Sequence, residues 1–454
     1  MSYTGQLATY ICESRPQDIP KDVRHEAKRA LLNIVGCALG GAEHRAVDIA
    51  IEAIGPFSGP PTSAVLGRRE RFDPLFAALL NGISTHVHDY DDTLPKNYIH
   101  ASSPVAAALF AYASANKVAG ADFLHAFILG FEVISRIGNA TYPAHYLAGW
   151  HSTGSIGVFG AAIAVGKLQS LTSLQTANAI GLAATQSAGL REMFGSMAKS
   201  FHPGRSAQSG YMAALLAQKG FTAALLPLEG PRGFAAVQAG SYDFGKIVDS
   251  LGVRFELHDN TYKPFPSGLV IHPTIDACIQ LRDKHNLTAD QIASVQLRVA
   301  PLVKDLCNKK AISTGLEAKF SIYHAAAIGL GRGKGGLAEF TDEAANDPTL
   351  RALRDITDAR VDPDIGEDAV AVSIRLKDGR GLGMKLEGSL GNLERPLSDA
   401  QLEAKFREQG TVISSTQMDE VIAACWNIEA VNDVANVIAA CIPKGDRRAS
   451  RSRQ

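Results

Sequence analysis

The chain has 454 residues, with 45 Lys and Arg against 46 Asp and Glu, and a formal net charge of -1. This balance excludes the basic surface of a typical nucleic-acid-binding domain, so we expect no nucleic-acid partner. The scattered cysteines form no Cys-x-x-Cys pair, which argues against a disulfide scaffold or a structural zinc site. With no signal-peptide pattern and no apolar run of about 18 residues, we expect a cytoplasmic protein without a membrane segment.

Helical periodicity dominates residues 1–265. Apolar residues recur at helical spacing from Lys21 to Gly41, and Thr172 with Gln175 has the form of a capping box ahead of an Ala-rich run. Glycines recur between residues 154 and 166, which predicts close helix packing or backbone approach to a ligand. We therefore predict the first part of a large all-helical domain over residues 1–265.

The pattern changes between residues 266 and 397. Apolar and polar residues alternate over Ser294–Val299 and again over 370–376, where a turn at 377–380 leads into another alternating stretch. We predict a smaller α+β domain here, covering the site as a lid. Residues 398–443 return to helical spacing, with a capping box at Ser398 and Gln401, and complete the helical domain. Residues 444–454 are polar and basic, which predicts a disordered tail.

The densest polar cluster contains two histidines and three aspartates, namely His86, His88, Asp89, Asp91 and Asp92. Such a set is compatible with a metal site, although histidines two apart cannot share a helix face and no HExxH spacing occurs. Adjacent acids also suit helix capping or acid–base chemistry. A metal-dependent hydrolase built on His86, His88 and Asp89 stays open as an alternative of another class.

Other segments place titratable groups beside glycine or proline. His151 precedes the glycine-rich helix, where backbone N–H groups suit an anion. Further candidates are Lys199, His202 and Arg205 within seven residues, Lys263 in a Pro-stiffened turn, His272 after it, and Tyr323. The glycines at 329–336 lack the spacing of a phosphate-binding loop, and no nucleophile elbow or dinucleotide fingerprint is present.

Taken together, these segments resemble the MmgE/PrpD family over nearly the whole chain. The marks occur in the family's order: Asn81-Gly82, His-Asp-Tyr-Asp-Asp-Thr93, His100, Gly-Trp-His151, Lys199-x-x-His202-x-Gly204 and Tyr-Lys263-Pro-Phe-Pro266. The resemblance implies a mainly α fold, in which a large all-helical domain carries a smaller α+β domain. It also implies a homodimer, and a reaction without metal or organic cofactor on a small di- or tricarboxylate.

The pocket residues that the resemblance implies are Asp89, Thr93, His100, His151, Lys199, Lys263 and Tyr323. To the substrate-binding set we add three cationic candidates from the same segments, His202, Arg205 and His272. We expect Lys199, Lys263 and His151 to anchor carboxylates and stabilise developing charge. We expect His100, oriented or ionised by Asp89, to move the proton, and Thr93 to position a carboxylate by hydrogen bonding.

The predicted function is a cofactor-independent lyase or isomerase acting next to a carboxylate, similar to 2-methylcitrate dehydratase or iminodisuccinate epimerase. The alternative within the family is cis-aconitate decarboxylation. Some relatives, including the decarboxylase branch, look to have a histidine five residues after the lysine matched by Lys263, whereas this chain has Gly268 there. The segment around His151 looks closer to the epimerase branch. A non-catalytic relative is the remaining alternative.

Overall fold

The computed structural model describes residues 1–444. The tail predicted at 444–454 lies, apart from its first residue, outside the described residues. The helices of the first half are α1 Tyr3–Glu13, α2 Lys21–Gly41, α3 Arg45–Ile54, α4 Pro74–His86, α5 Ser102–Ala115, α6 Gly120–Thr141, α7 Ala144–Leu147, α8 Ser152–Leu168, α9 Ser173–Ala184, α10 Met197–Gln218, α11 Phe234–Gln238 and α12 Gly245–Val248. The later helices are α13 His272–His285, α14 Pro301–Cys307, α15 Gly315–Ala318, α16 Ile322–Arg332, α17 Asp342–Asn346, α18 Pro348–Asp355, α19 Asp399–Gln409, α20 Ser415–Trp426 and α21 Ala435–Ala440.

The strands are few and short. They are β1 Ser63–Ala64, β2 Arg71–Phe72, β3 Ile292–Val299, β4 Thr357–Val361, β5 Val370–Leu376 and β6 Gly381–Leu386. The last four form one sheet in the order β4-β3-β5-β6, with β3 parallel to β4 and antiparallel to β5. The architecture is mainly α with a smaller α+β part, as the sequence predicts.

Local sequence signals account for several of these elements. The predicted helix from Lys21 to Gly41 is confirmed as α2. The predicted capping boxes are confirmed at α9, where the backbone N–H of Gln175 donates to Thr172 Oγ1 over 3.3 Å, and at α19, which Ser398 caps. The predicted hairpin is confirmed as β5–β6, with Gly379 at a φ of +91° in the turn, a region that favours glycine.

The apolar side chains form separate clusters. The largest draws on the helices before residue 263 and, in addition, on residues 397–441, which pack back against α2 and α6. A second cluster lies between residues 270 and 386 and joins the inner face of the sheet to α13 and α16. On β3 the buried residues Val295, Leu297 and Val299 alternate with exposed ones, as on a half-buried strand. The domain boundaries drawn from the sequence stay a prediction.

Close helix packing explains the small residues near the site. A Cβ on Gly82 of α4 would lie 2.4 Å from the Cα of Gly204 in α10, so the two backbones touch where neither residue has a side chain. Asn81 anchors α4 further by bonding to the backbone of Ala64 and Leu66. This contact brings the C-terminus of α4 close to the first turns of α10. Across residues 1–444, no helix is long and apolar enough to span a membrane.

Candidate active site

The loop between α4 and α5 carries the acidic cluster. It starts after His86, the last residue of α4, and leads to α5 at Ser102. Asp89 has a φ of +53°, in the left-handed region that Asp tolerates better than most residues. The loop is held to residues after α12 by mutual backbone hydrogen bonds of 3.0 Å between Thr93 and Thr261. It therefore lies against the turn that carries Lys263.

Asp89 lies between two lysines. Lys263 Nζ is 2.6 Å from Asp89 Oδ1, and Lys199 Nζ is 2.9 Å from Asp89 Oδ2. All three side chains are buried. Burial opposes the ionisation of Asp89, but the ammonium groups of Lys199 and Lys263 hold the pKa of this carboxyl well below its usual range. Asp89 is therefore a carboxylate that keeps two cations close together.

The two lysines differ in their other contacts. Lys263 Nζ also donates to the backbone oxygens of Asp89 and Ser267, over 3.1 and 3.0 Å. Lys199 Nζ instead lies over the rings of Phe194 and Phe320, 5.3 and 5.2 Å from their centroids. Burial lowers the pKa of Lys199, although the neighbouring Asp89 opposes this effect. Lys199 Nζ thus has fewer polar partners than Lys263 Nζ, and burial makes its ammonium group easier to deprotonate than that of an exposed lysine.

His100 lies beside these groups. Its Nδ1 is 3.3 Å from Asp91 Oδ1 and 3.3 Å from Thr93 Oγ1, whereas its Nε2 is 3.8 Å from Asp89 Oδ1. Burial lowers the pKa of His100 to about 4, and Asp91 offsets part of that effect. The imidazole is therefore neutral near pH 7 and able to accept a proton. Asp91 therefore lies against Nδ1 of His100, whereas Asp89 lies nearer to Nε2, on the side of the lysines.

His151 is the residue that precedes α8. Its Nδ1 is 2.9 Å from Nδ1 of His202 in α10, so one ring donates to the other. Burial lowers the pKa of His151 well below its usual value and that of His202 to about 4. Because α8 begins at Ser152, the positive end of its dipole also lies here.

These side chains face one narrow cavity. Its atoms enclose about 410 Å³ of space, part of it open to solvent. Asp89, Thr93, His100, His151, Lys199 and Lys263 line it together. The remaining wall consists of Tyr98, Tyr146, Phe194, Gly268, Leu269, Val270, Leu306, Cys307 and Phe320. Polar groups from the helical part thus face a largely apolar wall that includes residues after 266.

Four predicted residues lie outside the wall of this cavity. Arg205 is exposed and bonds to Gln208 over 2.6 Å, because it lies on the outer face of α10. Tyr323 bonds to Asn308 and Lys304 within the second core. His272 is buried against the backbone oxygen of Ser267, and His202 lies behind His151. The structure therefore does not bring Arg205, Tyr323 or His272 to the cavity.

Other site residues escaped the sequence reasoning. Tyr98 and Cys307 reach the wall although no motif marks them. Asp91 stands in the acidic cluster and in the His-Asp-Tyr-Asp-Asp-Thr93 motif, but neither assigns it a role beside His100. Lys319 is buried near the lysine pair, where its Nζ donates to the backbone oxygens of His88 and Pro266 over 2.8 and 2.7 Å. Burial lowers the pKa of Lys319 to about 7. The sequence signal that points to Lys319 is its position next to an apolar residue and close to the start of a helix.

The same cluster bears on the metal hypothesis. Within residues 1–444, ligand atoms lie within 4.8 Å of one another in the groups His86, His100, His151 and His86, Asp89, Asp91, His100. His88 belongs to neither group, because its Nε2 bonds to the backbone oxygen of Gly40. Both oxygens of Asp89 already face ammonium groups, which repel a further cation. The set of His86, His88 and Asp89 proposed from the sequence is therefore not brought together.

Comparison with known proteins covers most of the chain. Residues 5–246 match the MmgE/PrpD N-terminal domain, and residues 265–428 match the MmgE/PrpD C-terminal domain. Human cis-aconitate decarboxylase is 27% identical over 449 residues, which are 95% of this chain and 93% of that protein. Cis-aconitate decarboxylase of Aspergillus terreus is 25% identical over 467 residues, 96% of this chain and 95% of the relative.

A further relative matches over a shorter stretch. The cis-aconitate decarboxylase-like protein oryM of Aspergillus oryzae is 35% identical over 224 residues, which are 47% of this chain and 46% of that protein. The alignment with oryM thus spans about half of its length. The matches to both domains, in the order in which the two cores occur along the chain, show that this chain belongs to the MmgE/PrpD family.

Proposed function

We propose that the protein is a cofactor-independent lyase that acts on a small di- or tricarboxylate, and that decarboxylation of a cis-aconitate-like substrate is its reaction. The observation that carries the proposal is the meeting of two lysine ammonium groups and two neutral imidazoles on one narrow cavity. The names of the full-length relatives support decarboxylation over the dehydratase or epimerase activity expected first from the sequence.

The charges of the cavity suit a polycarboxylate. Among the groups that line the cavity, Lys199 and Lys263 carry two positive charges against the single negative charge of Asp89, because the Asp91 carboxylate lies behind the ring of His100. The wall itself therefore has one excess positive charge. An anionic ligand completes this balance better than a neutral one, because Coulomb interactions are strong where water is excluded. A second carboxylate would lie against Thr93 and His151, the residue that precedes α8 and lies near the positive end of its dipole.

The chemistry follows from the same groups. Loss of CO₂ from a carboxylate leaves its bonding electron pair on the neighbouring carbon, and conjugation spreads that charge onto an adjacent carboxylate. The ammonium groups of Lys199 and Lys263 stabilise the charge, and an acid then delivers one proton to the carbon. A bound substrate carboxylate raises the pKa of His100 above the value of about 4 that it has in the protein without ligand, so that this imidazole can hold the proton in the complex.

A second candidate reaction rests on Gly268. This glycine lines the cavity, and a Cβ on it would lie 3.2 Å from Cys307 Sγ. The position of the histidine expected in the decarboxylase branch thus carries no proton donor. This observation favours dehydration or epimerisation as the alternative, because either reaction needs a base such as His100 next to a carboxylate.

The test is turnover of cis-aconitate, 2-methylcitrate, iminodisuccinate and citrate in deuterated water, followed by NMR with CO₂ release measured in parallel. Decarboxylation predicts CO₂ and one solvent deuteron per product, whereas a dehydratase or epimerase releases no CO₂. His100→Ala and Lys263→Ala should each lower kcat/KM by roughly 10²–10⁴-fold on the true substrate. Arg205→Ala, on the outer face of α10, is the matched cation control and should keep normal turnover. Near-normal turnover by His100→Ala and Lys263→Ala would refute the assignment.

We also propose that the chain forms a homodimer, as the family resemblance implies, and that it acts in the cytoplasm. Light scattering on the purified protein across a hundredfold concentration range tests the dimer. A mass of one chain, 48.2 kDa, at every concentration would contradict it.

A further inference from the structure

Asp91 lies at the centre of the buried histidines. Its Oδ1 is 3.3 Å from Nδ1 of His100, and both of its oxygens lie 2.8–2.9 Å from Nδ1 of His86. The rings of His86 and His100 meet edge to face, with their centroids 4.6 Å apart. The fully buried carboxylate of Asp91 therefore contacts Nδ1 of both imidazoles, and the ring of His100 lines the cavity.

The protonation states follow from the contacts. Burial opposes ionisation of Asp91, but His100 and His86 lower its pKa, so the group is a carboxylate that only accepts hydrogen bonds. Each imidazole must then carry its hydrogen on Nδ1 in the neutral form, which leaves the lone pair on Nε2. In agreement, the buried Nε2 of His86 has no hydrogen-bond partner within residues 1–444. The Nε2 of His100 is directed toward the side of Asp89 and the lysines.

The same contact affects the basicity of His100. In the described part of the chain, the ion-pair and hydrogen-bond partners of Asp91 are imidazoles and not Lys or Arg. Lys199 and Lys405 also act on its charge, which is therefore only partly compensated while both rings are neutral. One proton on His100 would create a buried imidazolium–carboxylate pair. The charged and titratable groups that face His100 are Asp89, Asp91, His86, His151 and Lys263, with Lys199 bound to the far side of Asp89.

We propose that Asp91 is the positioning residue of this site and that His86 holds the Asp91 carboxylate in place. Asp91 holds His100 in the tautomer with hydrogen on Nδ1 and aims Nε2 at the substrate carbon. It also stabilises the imidazolium that forms when Nε2 takes a proton from the substrate or holds one for delivery. The role assigned to Asp91 in the reaction rests on the proposed function, whereas the tautomer does not.

The first experiment needs neither a variant of Asp91 nor a substrate. The folded protein is labelled with ¹⁵N in its histidine rings, and His100→Gln assigns the His100 resonances by their loss. At pH 7 we expect the pyridine-type ¹⁵N signal at Nε2 and the N–H signal at Nδ1 of His100. The reverse pattern would overturn the proposal whatever the enzyme's substrate is, so this result is independent of the proposed function.

The second experiment compares Asp91→Asn with Asp92→Asn. Asp92 is the matched control, because it is equally buried but bonds to Ser102 and Asn260 and contacts neither imidazole. In Asp91→Asn we expect kcat to fall by roughly 10²–10⁴-fold with little change in KM, because the bound ground state keeps its lysines. Asp92→Asn should alter stability but should not lower kcat in this way while KM stays nearly unchanged.

The pH profile separates positioning from a merely structural role. Without the carboxylate, the pKa of His100 falls further. The limb of kcat/KM that His100 governs should therefore move to lower pH in Asp91→Asn relative to the wild type; this is the alkaline limb if His100 delivers the proton and the acid limb if it removes one. The same limb should stay in place in Asp92→Asn. An Asp91→Asn protein that is folded by circular dichroism, with wild-type kcat and both limbs unshifted, would overturn the proposal. If Asp91→Asn fails to fold, the wild-type tautomer decides.

Discussion

Replacement of Asp89 by Asn removes the one carboxylate that two buried lysines share. The resulting penalty can be worked out from their contacts. Lys263 keeps the backbone oxygens of Asp89 and Ser267 as acceptors, whereas Lys199 keeps only the faces of Phe194 and Phe320 among the contacts described above. Loss of one partner of a buried ion pair costs about 3–5 kcal/mol. We expect Asp89→Asn to lower the free energy of unfolding by about that amount at pH 7.

The pH dependence gives this prediction its sign. Without Asp89 the folded-state pKa of Lys199, already lowered by burial, falls further below the unfolded value of about 10.4. Between the two pKa values the unfolded chain binds more protons than the folded one, so stability rises with pH. The deficit of Asp89→Asn relative to the wild type should therefore be largest near pH 7 and shrink toward pH 10.

Urea unfolding followed by circular dichroism at pH 7 and pH 9.5 measures both effects. Asp89→Asn combined with Lys199→Met removes the unpaired ammonium and should regain about half of the loss. Asp358→Asn is the control for the chemical change, because Asp358 forms an exposed ion pair with Arg360 and should change stability little. Unfolding of Asp89→Asn at the wild-type urea concentration at both pH values would refute the reasoning.

Three further predictions follow from the site. Gly268→His introduces a side chain at a φ of -56° that any residue adopts, where its Cβ would lie 3.2 Å from Cys307 Sγ. This variant should raise the ratio of CO₂ release to dehydration, and an unchanged ratio would show that a donor at this position does not select the reaction. Prolonged dialysis against a chelator should leave turnover unchanged, and activity lost to EDTA and recovered with Zn²⁺ would favour the metal hypothesis. Lys319→Met should be relatively more stable than the wild type at pH 7, where burial holds the folded pKa of Lys319 at about 7, and urea unfolding should show this advantage disappearing toward pH 10.

Residues in regular elements were the easiest to predict. The helix from Lys21 to Gly41, the capping boxes at Thr172 and Ser398, and the β5–β6 hairpin all follow from periodicity and from side chains that bond within three residues. These signals are local, so they need no knowledge of the fold. The α+β region was likewise predictable because strands alternate with period two.

Side chains in loops were harder to predict. His86 and His88 are two residues apart, yet one bonds to Asp91 and the other to the backbone of Gly40. Asp89 and Asp91 are also two residues apart in the sequence, yet Asp89 forms ion pairs with the lysines and Asp91 contacts the imidazoles. The direction of each depends on distant partners brought in by α2, α10 and the turn at Lys263. Nothing in the spacing of the residues encodes those partners.

The sequence by itself determined the family, the mainly α architecture and the cationic segments that meet at the cavity, because these follow from periodicity and from motifs in a set order. Only the tertiary structure decided which members of each segment face the cavity. The contact of Gly82 with Gly204 brings α4 against α10, and the backbone pairing of Thr93 with Thr261 brings the acidic loop to Lys263. Once these distant segments touch, the choice between neighbouring side chains is made by burial and charge, which no local pattern contains.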